Sequence, residues 1–123
     1  MERDPLTEKV IGCAIEVHRH LGPGLLESTY ESCLAHELAT QGVAFQTQVP
    51  IPIEYKGTNI SCGYRIDIFV DGRAILELKS VERLVGVHEA QILTYMKLAK
   101  VKTGLLINFN VRRLIDGIKR FRL

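Results

Sequence analysis

A chain of 123 residues suits one domain with a modest core, expected here to span residues 1–123. Its 46% hydrophobic and 24% charged residues are ordinary for a globular protein, and no apolar run approaches a membrane span. A net charge of +2 does not by itself indicate nucleic-acid binding, though a local basic patch could still provide it. Cys13, Cys33 and Cys62 are odd in number and widely spaced. They argue against a disulfide framework, a zinc site or an iron–sulfur cluster. With no secretory pattern at the start, a reducing cytoplasm is the expected setting.

From about Leu6 to Leu21 the apolar residues Val10, Ile11, Ala14, Ile15, Val17 and Leu21 recur at helical spacing. Asp4-Pro5 suits the start of that helix, and Gly22-Pro23-Gly24 stops it. His18 and His20 lie near its C-terminal end, where a histidine is a favourable dipole partner. A second helix is expected from about Leu25 to Gln41, with Tyr30, Leu34 and Leu38 inward. Glu27 continues that stripe. An inward carboxylate needs a partner or a metal. Equally, an acid in a first helical turn meets free N–H groups and the dipole.

Ala44–Val49 and Ile51–Tyr55 read as short strands around Pro50 and Pro52, followed by a turn at Lys56-Gly57-Thr58-Asn59. Gly63–Lys79 reads as two strands joined at Asp71-Gly72. Tyr64, Ile66, Ile68 and Val70 are expected to share a sheet face with Ala74, Leu76 and Leu78. That match fixes the register. A two-residue turn would put Asp67 opposite Leu76, so a three-residue loop or a bulge with Gly72 at positive φ is expected instead. Asp67, Glu77 and Lys79 then converge on the other face, beside Arg65, Phe69 and Ile75. Two close carboxylates need a cation or a shared proton, and such oxygen donors suit Mg²⁺ or Mn²⁺. A surface salt bridge to Lys79 is the plainer alternative.

A third helix is expected from about Val87 to Lys100, burying Val87, Ile92, Leu98 and Ala99. Gln91 and Tyr95, four apart, fall in the same arc. They can reach one target together, or they can be a packed tyrosine with its hydrogen-bonded neighbour. Thr103–Asn108 reads as a buried strand reached by a crossover, hence mixed pairing. The tail after Val111 carries Arg112, Arg113, Lys119, Arg120 and Arg122. It is either a phosphate-facing strip or an edge strand kept soluble by charge.

In order, Glu27 on a helix, Gly63-x-x-x-Asp67, Glu77-Leu78-Lys79 and Gln91-x-x-x-Tyr95 resemble the PD-(D/E)XK nuclease superfamily. More narrowly the chain resembles the small GxxExxY proteins, through Gly24-Leu25-Leu26-Glu27-Ser28-Thr29-Tyr30, and its Gln-x-x-x-Tyr element is similar to RecB-type nuclease domains. Ile66 replaces the usual proline before the aspartate. The resemblance implies a restriction-endonuclease-like α/β core: a mixed central sheet with a β-hairpin, flanked by about three helices. It implies that Asp67, Glu77 and the Leu78 carbonyl hold Mg²⁺ or Mn²⁺. Lys79 would position water, Glu27 a metal-bound water or second metal, and Gln91 and Tyr95 would support the site. Arg65, Arg112, Arg113, Lys119, Arg120 and Arg122 are the candidate nucleic-acid contacts. The expected activity is phosphodiester hydrolysis, on DNA rather than RNA, with a homodimer plausible for the fold. The alternative is a nucleic-acid-binding or protein-interaction module with little turnover.

Overall fold

The computed structural model describes residues 4–123. Helix α1 (Pro5–Leu21) opens on Asp4, whose carboxylate accepts from Leu6 N–H at 3.2 Å and from the Thr7 hydroxyl at 2.8 Å. Pro5 follows, where a missing N–H costs nothing. Helix α2 (Glu27–Thr40) packs beside it. Strand β1 (Phe45–Pro50) is followed by a separate hairpin, β2 (Ile53–Tyr55) with β3 (Thr58–Ile60). Then come β4 (Arg65–Val70), β5 (Ala74–Lys79), helix α3 (Gly86–Ala99), β6 (Thr103–Asn108) and, after a 3-10 turn at Leu114–Gly117, β7 (Ile118–Arg122).

The main sheet has the order β1-β4-β5-β6-β7. Only β5 and β6 run parallel, because α3 carries the chain back across the sheet between them. Helices α1 and α2 cover one face. There Val10, Ala14, Tyr30 and Leu34 meet Ile68, Leu76 and Leu105. Helix α3 covers the other, where Ile92, Tyr95 and Met96 meet Ile75 and Leu106. This mixed α/β architecture is the one the resemblance implies.

The β4–β5 connection is a three-residue loop, with Val70 paired to Ala74 and Asp71 and Gly72 at φ 52° and 61°. Ile68 therefore stands opposite Leu76, as the apolar pattern requires. Three local expectations are corrected. Thr58 and Asn59 lie in β3, so the preceding turn is only Lys56-Gly57, both at positive φ. Val87 is 68% exposed because it lies in the first turn of α3, ahead of the segment packed on the sheet. Ile66 packs on the α3 side with Ile75 and Leu106, not with Ile68, and Tyr64 sits edge-on to Tyr95. The cause is a break in the pleat. The β1–β4 ladder passes over the Gln48–Asp67 position, where Gln48 takes φ 52°. Period-2 alternation does not survive such an interruption.

One glycine is fixed by close approach. A Cβ on Gly117 would lie 2.3 Å from the backbone oxygen of Asn108. Asn108 in turn holds Val81, accepting from its N–H at 3.1 Å and donating to its carbonyl at 2.9 Å. Gly117→Ala must shift backbone rather than a flexible side-chain end. It is expected to cost about 2–3 kcal/mol and roughly 10 °C in Tm, read by thermal and urea unfolding. An unchanged midpoint would show that the 3-10 turn yields freely.

Candidate active site

Asp67 and Glu77 lie one step beyond the Ile68–Leu76 pair, the last of the β4–β5 ladder, and Glu77 follows Ile75 on the α3 face of β5. Each carboxylate commits one oxygen to a main-chain donor of the other strand. Asp67 N–H donates to Glu77 Oε2 at 3.0 Å, and Leu78 N–H donates to Asp67 Oδ2 at 2.8 Å. The regular ladder stops here, so those N–H groups are available to side chains.

Glu77 is 3% exposed. Burial, then the nearby Asp67 charge, pushes its carboxyl up to about 8. Asp67 is also raised by burial, partly offset by the Leu78 N–H and the Lys79 charge. Two acids so placed favour holding a proton until a cation arrives.

Lys79 lies two residues beyond Glu77 on the same face. Its Nζ donates to Gln91 Oε1 at 3.2 Å rather than to a carboxylate, and Gln91 Nε2 donates to the Tyr95 hydroxyl at 3.2 Å. Only Gln91 touches the Lys79 ammonium; Tyr95 is packed in the core and bonds Gln91, so the two do not share one target. Burial, and next the Glu77 charge, raises the Tyr95 phenol.

Glu27 requires a correction. It is exposed, not inward like Tyr30, because α2 begins at Glu27 itself and its first turn lies outside the core. It nevertheless reaches the site from the solvent side. Its Oε2 accepts from Ser80 N–H at 3.3 Å, one residue past Lys79. Ser80 Oγ donates to the Leu25 carbonyl at 2.6 Å. Tyr30 stacks on Phe109 at 4.4 Å, and its hydroxyl donates to the Gly22 carbonyl at 2.6 Å and accepts from Leu25 N–H at 3.2 Å. The loop before α2 is thereby tied to the end of β5.

Three residues of the site escaped the sequence. Gln48 stands opposite Asp67, hydrogen-bonds it, and donates to Glu31 Oε1 at 2.7 Å. Burial raises the Glu31 carboxyl, and the Asp67 charge adds to this. The third is Ser80. Glu31 had one available signal, because it lies one helical turn after Glu27 and so on the same flank of α2. Gln48 and Ser80 had none.

The candidate cations divide by position. Arg65, at the start of β4, and Arg112 and Arg113, after the end of β6, lie at the carboxylate end of the sheet. Arg112 and Arg113 are exposed and make no ion pair among the described residues. Lys119 pairs with Glu89 at 2.6 Å and Arg120 with Glu8 at 3.1 Å, from opposite faces of β7. Arg120 and Arg122 stand opposite Leu105 and Thr103, toward the far end. The tail is therefore an edge strand, and its cations are not one strip. His18 Nε2 lies 2.8 Å from the Val111 carbonyl, in a structural contact away from the acids.

A sequence profile of the PD-(D/E)XK nuclease superfamily matches residues 4–121. No curated protein and no solved structure gives a match. No described helix is long and apolar enough to cross a membrane.

Proposed function

The chain belongs to the PD-(D/E)XK nuclease superfamily, and on that premise we propose that it is a metal-dependent nuclease hydrolysing phosphodiester bonds, with DNA as its substrate. The observation that carries this reading is the pairing of half-buried Asp67 with buried Glu77, interlocked by backbone N–H groups, with Lys79 beside it. The narrower likeness to the GxxExxY proteins is supported by the use made of that motif, in which Tyr30 braces the loop and Glu27 reaches Ser80.

The donor set fits a hard divalent cation. Asp67, Glu77 and the Leu78 carbonyl offer only oxygen, and both acids are raised first by burial, Glu77 further by the Asp67 charge. No group of three His, Cys, Asp or Glu side chains converges on a metal position among the described residues. Two carboxylates with water and substrate phosphate completing the shell is the usual arrangement for Mg²⁺, and Mn²⁺ accepts the same donors. When bound, the ion supplies Lewis-acid stabilisation of phosphate charge and lowers the pKa of water.

The chain's own residues do the rest. The Lys79 ammonium is held by Gln91, which Tyr95 holds in turn, so its charge is fixed beside the acids. There it orients water and favours negative charge developing on phosphate. Glu27 and Glu31 border the same site and can accept from water at its mouth. Arg65, Arg112 and Arg113 are placed to contact the flanking phosphates.

The test is purified protein with Mg²⁺ or Mn²⁺ on single-stranded DNA, duplex DNA and RNA, against a Lys79→Ala control. Cleavage by the wild type alone supports the nuclease. Equal binding by both proteins without cleavage by either would favour the binding module. Neutralising Arg112 and Arg113 together is expected to lower the log–log salt slope of binding by about two, since each removes one phosphate contact. An unchanged slope in a salt titration would remove both from the interface.

A further inference from the structure

A groove of about 930 Å³ lies at the end of the sheet away from Asp67 and Glu77. It is bounded by the β4–β5 loop, the start of β6, the end of β7 and the start of α1. Among the described residues it is lined by five cations, Arg73, Lys100, Lys102, Arg120 and Arg122, against one carboxylate, Asp4. Asp4 is already engaged by Leu6 and Thr7. Arg73 pairs with Asp71 and Arg120 with Glu8, whereas Lys100, Lys102 and Arg122 pair with no described acid. Three cations without a described acidic partner therefore line this groove.

Lys100 adds an independent observation. It terminates α3 in the left-handed conformation, φ 58° and ψ 44°, where glycine is the usual residue. A lysine there carries a backbone cost that glycine would not, and it sets the side chain at the groove.

We propose that this groove is a second phosphodiester-binding site, which holds a flanking stretch of the nucleic acid cleaved at the carboxylate end. The inference rests on the nuclease reading and extends it, because none of the cleavage chemistry requires Lys100, Lys102 or Arg73. Phosphates are the occupant that the charge favours, and a spaced row of cations matches a repeating backbone better than one small anion. The groove begins at Ala74 and Thr103, so it lies roughly 15 Å along the strands from Lys79. A substrate reaching both must exceed about five base pairs.

The experiment is metal-free binding, with chelator present, of labelled 30-nucleotide single-stranded DNA, duplex DNA and RNA. Lys100→Glu with Lys102→Glu is expected to weaken binding about tenfold or more at low salt. Lys9→Glu with Lys56→Glu changes total charge equally outside the groove and is expected to cost less than threefold. Lys100→Gly removes one cation while relieving its backbone, so affinity falls with Tm unchanged or raised. If the double variant does not fold, this variant carries the test. Wild-type affinity in either groove variant, or an equal loss in the control, overturns the proposal. A wild type that cleaves nothing with either metal yet shows groove-dependent binding sinks the nuclease reading and leaves the groove standing.

Discussion

Lys79→Ala is expected to abolish cleavage, lowering the rate on the order of 10²-fold or more, while metal binding is largely kept. Lys79 Nζ bonds Gln91, not Asp67 or Glu77, so its removal takes away no oxygen donor. An ammonium has no lone pair with which to bind a metal. At the proposed site Asp67, Glu77 and the Leu78 carbonyl would still hold an ion, with some weakening because Lys79 favours both acids in their charged forms. What is lost is the fixed positive charge beside the reacting phosphate. The structural cost is small, since Gln91 is only half-buried and water can replace the missing donor. Calorimetric Mn²⁺ titration beside a cleavage time course separates the two effects. Asp67→Asn gives the contrast, because it removes an anionic donor and weakens the metal itself. Equal cleavage by Lys79→Ala and wild type would mark the activity as a contaminant's.

Glu77→Gln is expected to stabilise the metal-free protein at pH 8, on the order of 3 kcal/mol, while abolishing its response to metal. The sign follows from the direction of the shift. The folded carboxyl is pushed up to about 8 from the ordinary glutamate value of 4.5. Between those values the folded state binds more protons than the unfolded chain, so wild-type stability falls as pH rises through that window. This is the reverse of a salt-bridged acid. Glutamine stays neutral and can still accept from Asp67 N–H, so the variant lacks this slope. Below about pH 4.5 both side chains are neutral and the difference vanishes. Metal reverses the ranking, because a bound cation favours the ionised carboxylate that burial disfavours. Wild-type affinity for Mn²⁺ is expected to rise toward pH 8 as the ligand loses its proton. Thermal unfolding at pH 5 and 8, with chelator and with Mn²⁺, gives all four values. A Tm difference independent of pH would show that Glu77 is ionised throughout.

The sequence by itself determined the elements and the central register. Helical spacing placed α1 and α2, and a long apolar run placed β6. Matching the apolar faces of β4 and β5 required a three-residue loop or a bulge, either of which puts Asp67 and Glu77 together. These are short-range facts. A side chain's face depends on its position modulo 2 or 3.6, and burial penalises any register that exposes the apolar set.

Tertiary structure alone decided what stands around the acids. Ser80 meets Glu27 across 53 positions of sequence, and Gln48 meets both Asp67 and Glu31 where the β1–β4 ladder skips one pair. Beside the same interruption Ile66 packs on the opposite face. The sequence left the tail as either one phosphate-facing strip or a charged edge strand, because periodicity describes a strand's faces, not which end of the sheet each residue occupies. Pairing with β6 sent Arg120 and Arg122 toward the far end and left Arg112 and Arg113 near the acids. Electrostatic fields act through space, so the side chains that set the protonation of Glu77 were fixed only when the chain closed on itself.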